Sequence, residues 1–337
     1  MKPRILVTLG PSPLSQKIIE RCSDEKIYLF RINLSHTPFE ELEETIAYIQ
    51  RYTDVPICID TEGAQIRNQK MINGNVYFTK NDTVKIHYDE VIGDNNNISF
   101  TPKKIARDFL LGDRLYIDFD SVCLKIVDKN KNYCLSEVET EGVVGSNKAV
   151  NLNRDIKLEA ITQKDCRSIS IGKKWGIKYF ALSFSMCQED VMKMRQLTGY
   201  EACIISKIES PEGVLNLNGI LKGADQILID RGDLSRKVPL SKIPFLQRRI
   251  VSHVRAMGKP VYVATNLLES MVTTRTPTRS ELNDVISTLL MGASGLVLAS
   301  ETAIGKYPLE AVKMIRDLIE QYEKWTPNTS LGEILQY

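Results

Sequence analysis

Short apolar runs rich in β-branched residues return along this chain at regular intervals, most of them followed by an amphipathic segment of helical period. The runs are Ile5–Leu9, Ile27–Ile32, Pro56–Asp60, Lys178–Phe184, Cys203–Ile208, Gln226–Asp230, Val261–Thr265 and Gly295–Ala299. Helix-period segments lie at Phe39–Arg51, Thr162–Trp175, Gln188–Leu197, Ile243–Met257, Ser280–Met291 and Pro308–Trp325. Near-continuous apolar strands alternating with amphipathic helices predict a parallel sheet covered on its outer side. Eight such runs favour a closed (β/α)8 barrel, an α/β fold, over an open doubly wound sheet. No Gly-x-Gly-x-x-Gly follows the first run, which argues against a dinucleotide-binding fold.

One interval breaks the rhythm. From Asn68 to about Val150 the pattern changes to short alternating strands at Val76–Phe78, Thr83–Ile86, Ile98–Phe100, Leu115–Ile117, Val122–Val127 and Leu135–Thr140. Asp94-Asn-Asn-Asn97 and Asp128-Lys-Asn-Lys-Asn132 are turn chemistry. The predicted organisation is a discontinuous barrel of residues 1–67 and 151–337, with a small β-domain of residues 68–150 inserted after the third barrel strand. Loops at that end of a barrel strand carry function and tolerate expansion.

Composition narrows the function classes. A net charge of +2 with both signs interspersed gives no basic stripe for nucleic acid. The seven cysteines are scattered, no two form a Cys-x-x-Cys pair, and only three histidines exist to join them. Reduced thiols in the core are therefore expected rather than a zinc or disulfide framework. The N-terminal Met1-Lys-Pro-Arg4 is basic, but the apolar run behind it is too short for a signal-peptide core, and no window is long enough for a membrane helix. The expectation is a cytoplasmic enzyme acting on small molecules, with neither nucleic acid nor membrane as partner; a homo-oligomer is compatible with the sequence.

In such a barrel the polar residues just past each strand converge on one mouth. Those residues are Arg31-Ile-Asn33-Leu-Ser35-His36, Asp60-Thr61-Glu62-Gly63 with Arg67 beyond, Lys207-Ile-Glu209, Asp230-Arg231-Gly232-Asp233, Thr265-Asn266 and Ser300-Glu301-Thr302. Lys207 and Glu209 are two apart and face the same side of an extended chain. Glu209 and Asp233 supply two hard oxygen ligands suited to Mg2+ (or Mn2+); the alternative is an Arg231–Glu209 or Lys207–Asp233 ion pair. Asn33, Ser35, Asp60 and Thr61 form an all-oxygen cluster with one carboxylate and no basic residue within it, suited to a monovalent cation, with Glu62 adding negative charge. Helix capping is the competing reading for these residues. Arg31 and Arg67 are candidate phosphate clamps, a surface salt bridge being the alternative for Arg67 and capping or packing that for His36. A divalent ion, a lysine, two arginines and a second cation together suit phosphoryl transfer.

These residues resemble those of the pyruvate kinase family. Thr8-Leu-Gly-Pro-Ser12, Arg31-Ile-Asn-Leu-Ser-His36, Asp60-Thr-Glu-Gly-Ala-Gln-Ile-Arg67, Lys148-Ala-Val-Asn-Leu152, Ile205-Ser-Lys-Ile-Glu209 and Asp230-Arg-Gly-Asp-Leu234 are similar to its motifs in order and spacing. So are Ala264-Thr-Asn-Leu-Leu-Glu-Ser-Met271, Pro277-Thr-Arg-Ser-Glu281 and Ser300-Glu-Thr-Ala303. The resemblance implies a barrel with an inserted β lid domain, and it does not extend to the family's C-terminal regulatory domain. It implies that phosphoryl passes between phosphoenolpyruvate and ADP, giving pyruvate and ATP, with Mg2+ (or Mn2+) at Glu209 and Asp233 and K+ at Asn33, Ser35, Asp60 and Thr61. Lys207 would stabilise the transferring phosphoryl group, and Arg31, His36, Arg67 and Lys148 would stand on the nucleotide and phosphate side. Backbone N–H groups around Gly232 and Asp233 would receive the substrate carboxylate, and Thr265 would lie near the carbon that is protonated.

Several positions depart from the family pattern. Asp230 replaces a small apolar residue, and either points into the carboxylate pocket or turns outward to Arg231 or Arg236. Ala299 replaces a serine, Glu62 replaces a lysine, and Phe184-Ser-Met186 lacks an arginine. Two other functions therefore compete: a relative turned to another reaction of phosphoenolpyruvate, an enolate or a related acid, and an inactive binding homologue.

Overall fold

The computed structural model describes residues 2–10, 15–63, 65–118, 121–154, 156 and 158–335. Pro11 and Ser12 of the first motif and Ala64 of the third lie outside the described residues. Eight strands, Arg4–Leu9, Leu29–Asn33, Ile57–Asp60, Tyr179–Leu182, Cys203–Ile208, Gln226–Asp230, Val261–Ala264 and Gly295–Leu298, form a closed parallel barrel. Each pairs with its neighbour in the sequence of barrel strands, and the eighth closes on the first through the register Arg4↔Gly295.

The pleat sorts their side chains. Leu6, Leu29, Cys58, Ala181, Ile205, Leu228, Tyr262 and Val297 form a small apolar cluster of their own. Their neighbours Ile5, Val7, Phe30, Ile59, Phe180, Ile204, Ile227, Val263 and Leu296 pack with the helices in a larger one. The smaller set fills the barrel interior and the larger seals its outer wall. Two residues beyond six of these interior positions stand Thr8, Arg31, Asp60, Ser183, Lys207 and Asp230, all buried. With a side-chain period of two, these polar groups share the interior face with the apolar layer beneath them.

The predicted helices are present as Leu42–Tyr52, Gln163–Lys174, Gln188–Thr198, Ile243–Ala256, Arg279–Leu290 and Pro308–Lys324; the first begins with a 3-10 turn at Phe39–Glu41. Thr162 with Asp165 and Thr278 with Glu281 form capping boxes, which satisfy donors that a helix start leaves open. Helices Gln16–Asp24 and Leu217–Gly223 complete the alternation where the periodicity had not been assigned.

The second compact unit comprises residues 64–159, so the expected boundaries of 67/68 and 150/151 move outward. The physical reason lies in its own sheet and core. Ile66–Asn68 is a strand that pairs with Ala149–Leu152 and Asn97–Thr101. Arg154 forms an ion pair with Asp113 at 2.8 Å, and Ile156 and Leu158 pack on the core of this unit. Its strands close into a seven-stranded barrel, beside which Asn75–Phe78 and Gly142–Gly145 form a separate antiparallel pair. The small β-domain read from the sequence is thus a second closed barrel.

Candidate active site

The polar layer of the large barrel is organised by Lys207. Its Nζ stands 2.8 Å from Glu209 Oε1 and 3.9 Å from Asp230 Oδ2. It donates to Ser183 Oγ at 3.0 Å and to Asp60 Oδ2 at 3.3 Å. Arg31 Nη1 donates to the same Asp60 oxygen at 2.7 Å, and Arg31 Nε to Thr8 Oγ1 at 2.9 Å. Glu209 Oε2 accepts from the Phe184 N–H at 2.6 Å, which fixes the carboxylate against the loop after the fourth strand. Phe184 adopts a left-handed backbone (φ +50°), as do Thr265 (φ +70°) and Asn266 (φ +53°) after the seventh strand. For a β-branched threonine this is a costly conformation of the kind that collects at functional sites.

Electrostatics follow from this crowding. Burial disfavours the Lys207 ammonium, yet Asp60, Glu209 and Asp230 outweigh it and raise Lys207 above its ordinary value. The Glu209 carboxyl is raised to about 8: burial is the largest cause, Lys207 opposes it, and Asp233 and Asp230 add to it. Three buried carboxylates, Asp60, Glu209 and Asp230, thus share two buried cations, Lys207 and Arg31, and each ion taken out of water costs several kcal/mol.

Glu209 and Asp233 come together as the sequence predicted, and Asp230 joins them: one oxygen from each lies within 4.8 Å of the others. Glu209 Oε1 is buried, with the Lys207 ammonium 2.8 Å away as its ion-pair partner. Three hard carboxylate oxygens brought into one cluster fit Mg2+ or Mn2+. Neither ion pair weighed for the mouth organises it. Lys207 takes Glu209, Arg231 takes Asp284 at 2.7 Å, and Arg236 takes Asp233 at 2.9 Å. The outward course for Asp230 is likewise not taken: Asp230 is buried, and its Oδ1 accepts from the Asp233 N–H at 3.5 Å.

Asn33 and Asp60 are register partners at the ends of adjacent strands, and Thr61 follows directly. Contrary to the expectation, basic residues do reach this cluster, because Asp60 holds both Arg31 and Lys207. Glu62 is balanced by Lys164 at 3.3 Å. Asn33 Oδ1 accepts from the Ser35 N–H at 3.0 Å, a local turn, and Thr61 Oγ1 accepts from the Ser183 N–H at 2.9 Å. His36 is exposed, with its N–H on Asn33 O at 3.1 Å, away from the buried layer. Gly232 N–H donates to Thr265 Oγ1 at 2.8 Å, so this amide and that of Asp233 are engaged within the chain.

Arg67 and Lys148 belong to the small barrel: Arg67 lies on a strand and pairs with Ala149, and Lys148 directly precedes that partner strand. Arg67 Nη1 donates to Asn147 O at 3.0 Å, and Lys148 Nζ pairs with Asp118 at 3.0 Å. Ser183 was missed by the sequence reading. Its hydroxyl accepts from Lys207 and donates to Thr61 O at 2.7 Å, and its place two residues after Ala181 on the interior face was the available signal.

A family model described as "Pyruvate kinase, barrel domain" matches residues 1–312. The chain is 34% identical over 327 residues to a pyruvate kinase of Corynebacterium efficiens, covering 94% of this chain and 69% of that protein. A pyruvate kinase of Thermotoga maritima is 32% identical over 330 residues, covering 95% and 71%. One of Bacillus licheniformis is 32% identical over 335 residues, covering 96% of this chain; the chain spans 57% of that relative's length. The match runs through both barrels and through every strand end that carries the buried polar layer, and the chain belongs to the pyruvate kinase family.

Proposed function

We propose that this chain transfers phosphoryl between phosphoenolpyruvate and ADP, giving pyruvate and ATP, with a divalent ion at Glu209 and Asp233. The observation that carries this reading is the buried Lys207 ammonium held among Glu209, Asp60 and Ser183, beside the cluster of Glu209, Asp230 and Asp233. When bound, the ion would neutralise phosphoryl and carboxylate oxygens. Lys207 is held charged and rigid by its partners, so it presents positive charge to the transferring group without reorganising. Arg31, anchored by Asp60 and Thr8, adds a second fixed cation. Thr265 Oγ1, held between the Gly232 N–H and Ala264 O, is positioned to serve the carbon that takes a proton.

K+ at Asn33, Ser35, Asp60 and Thr61 is part of the proposal, supported by the adjacency of their strand ends. Arg67 and Lys148 are proposed to contact nucleotide phosphates. Seven free cysteines support a reducing, cytoplasmic setting, and no helix among the described residues is long and apolar enough to cross a membrane. The test is pyruvate formation from phosphoenolpyruvate and ADP, followed with a coupled lactate dehydrogenase. Activity that needs Mg2+ and disappears in Lys207→Met supports the reading; no pyruvate from the folded, Mg2+-loaded parent would refute it.

A further inference from the structure

Three carboxylates, not two, meet where the fifth and sixth barrel strands end. Glu209, Asp230 and Asp233 each bring an oxygen within 4.8 Å of the other two. We propose that Asp230 is a third protein ligand to the divalent ion, so that the free protein captures the ion before any substrate arrives. The inference rests on the reading of Glu209 and Asp233 as ligands and adds a residue of this chain to that set.

Four observations carry it. Asp230 is 5% exposed and follows Leu228 on the interior face, so its side chain is committed to the mouth. Its Oδ1 reaches the Asp233 N–H only at 3.5 Å, the long limit of a hydrogen bond, and its Oδ2 is 3.9 Å from Lys207. The two arginines able to neutralise it are spent elsewhere, Arg231 on Asp284 and Arg236 on Asp233. That leaves the buried carboxylates Asp60, Glu209 and Asp230 facing the two buried cations Arg31 and Lys207. Buried charge of one sign in excess is retained in proteins where a metal or partner balances it.

A third carboxylate raises the ligand charge and so tightens the hold on a hard cation, while leaving one position fewer for substrate oxygens. Mn2+ is the probe. The full chain, stripped of metal and without substrates, is titrated with Mn2+ by calorimetry, alongside Asp230→Asn, Asp230→Ser and Glu209→Gln. Asparagine and serine both keep an acceptor for the Asp233 N–H but lose the charged ligand. Both substitutions at 230 are expected to weaken Mn2+ binding by about tenfold or more, as Glu209→Gln does. Where the asparagine variant fails to fold by circular dichroism, the serine variant gives the reading. If variants at 230 bind Mn2+ as tightly as the parent while Glu209→Gln does not, Asp230 is a cap alone: the proposal falls and the two-carboxylate site stands. If the parent and Glu209→Gln bind equally weakly, the underlying metal reading falls, and the proposal with it.

Discussion

Lys207 Nζ lies 2.8 Å from Glu209 Oε1, just past the end of its own strand, and 3.3 Å from Asp60 Oδ2 on the third strand, which joins two parts of the barrel mouth through one ammonium. A cation so anchored contributes charge in a fixed place, and its loss should be felt during the reaction more than in binding. Lys207→Met is expected to lower turnover by about two to three orders of magnitude with little change in the apparent affinity for phosphoenolpyruvate. Steady-state kinetics of the coupled assay measure both. Equal losses in affinity and turnover would make Lys207 a simple anchor.

The proposed monovalent site at Asn33, Ser35, Asp60 and Thr61 carries its own prediction. Activity should fall when K+ is replaced by a large organic cation and return on adding K+. Because Asp60 also holds Arg31 and Lys207, Asp60→Asn should lower activity even at saturating K+. Full activity in buffer free of K+ and Na+ would remove the monovalent site.

Asp165, fully buried, accepts from the Glu62 N–H at 2.7 Å, the Gly63 N–H at 3.2 Å and the Thr162 N–H at 2.9 Å. It thereby ties the end of the third strand to the start of a helix. Gly63 itself has φ +71°, and a Cβ there would lie 2.9 Å from the Ser183 Cβ. Asp165→Ala should cost about 2–4 kcal/mol of stability, given about 1.5–3 kcal/mol for a hydrogen bond to a charged group. Hydrogen exchange by mass spectrometry should show faster exchange of the peptide containing Glu62 and Gly63. Unchanged protection there would mean that other contacts hold the loop.

Acid sensitivity has an identifiable source in Glu281. Burial alone would raise its carboxyl, but hydrogen bonds from the Ser270 hydroxyl and N–H and from Thr278 outweigh burial and hold it below the ordinary glutamate range. A carboxyl lowered on folding stabilises the protein above its unfolded pKa, about 4.3, and that contribution disappears as pH falls through the folded value. The melting temperature of Glu281→Gln should therefore lie well below the parent's at pH 7, with the gap closing as the pH drops below about 4. A gap that stays constant across that range would show that the charge of Glu281 contributes nothing.

Much of this was written in local sequence. Ile205, Lys207 and Glu209 share a face because an extended chain repeats every two residues. Thr278 and Glu281 cap a helix because they stand three residues apart. Apolar runs such as Ile204–Ile208 could only be strands buried on both sides, and their number and the helices between them called for a closed parallel barrel. What the chain alone left open were choices made between distant residues. Arg31 and Lys207 both turn to Asp60, 29 and 147 positions away. Ser183 becomes the bridge between Lys207 and Thr61, and Arg154, Ile156 and Leu158 join the small barrel because Asp113 and its core receive them. Asp230 could have turned outward to Arg231 or Arg236 by sequence, and it turns in because Asp284 and Asp233 take those arginines first. Periodicity acts over a few residues and survives any fold, whereas the pairing of buried charges depends on which strand ends the closed barrel brings together.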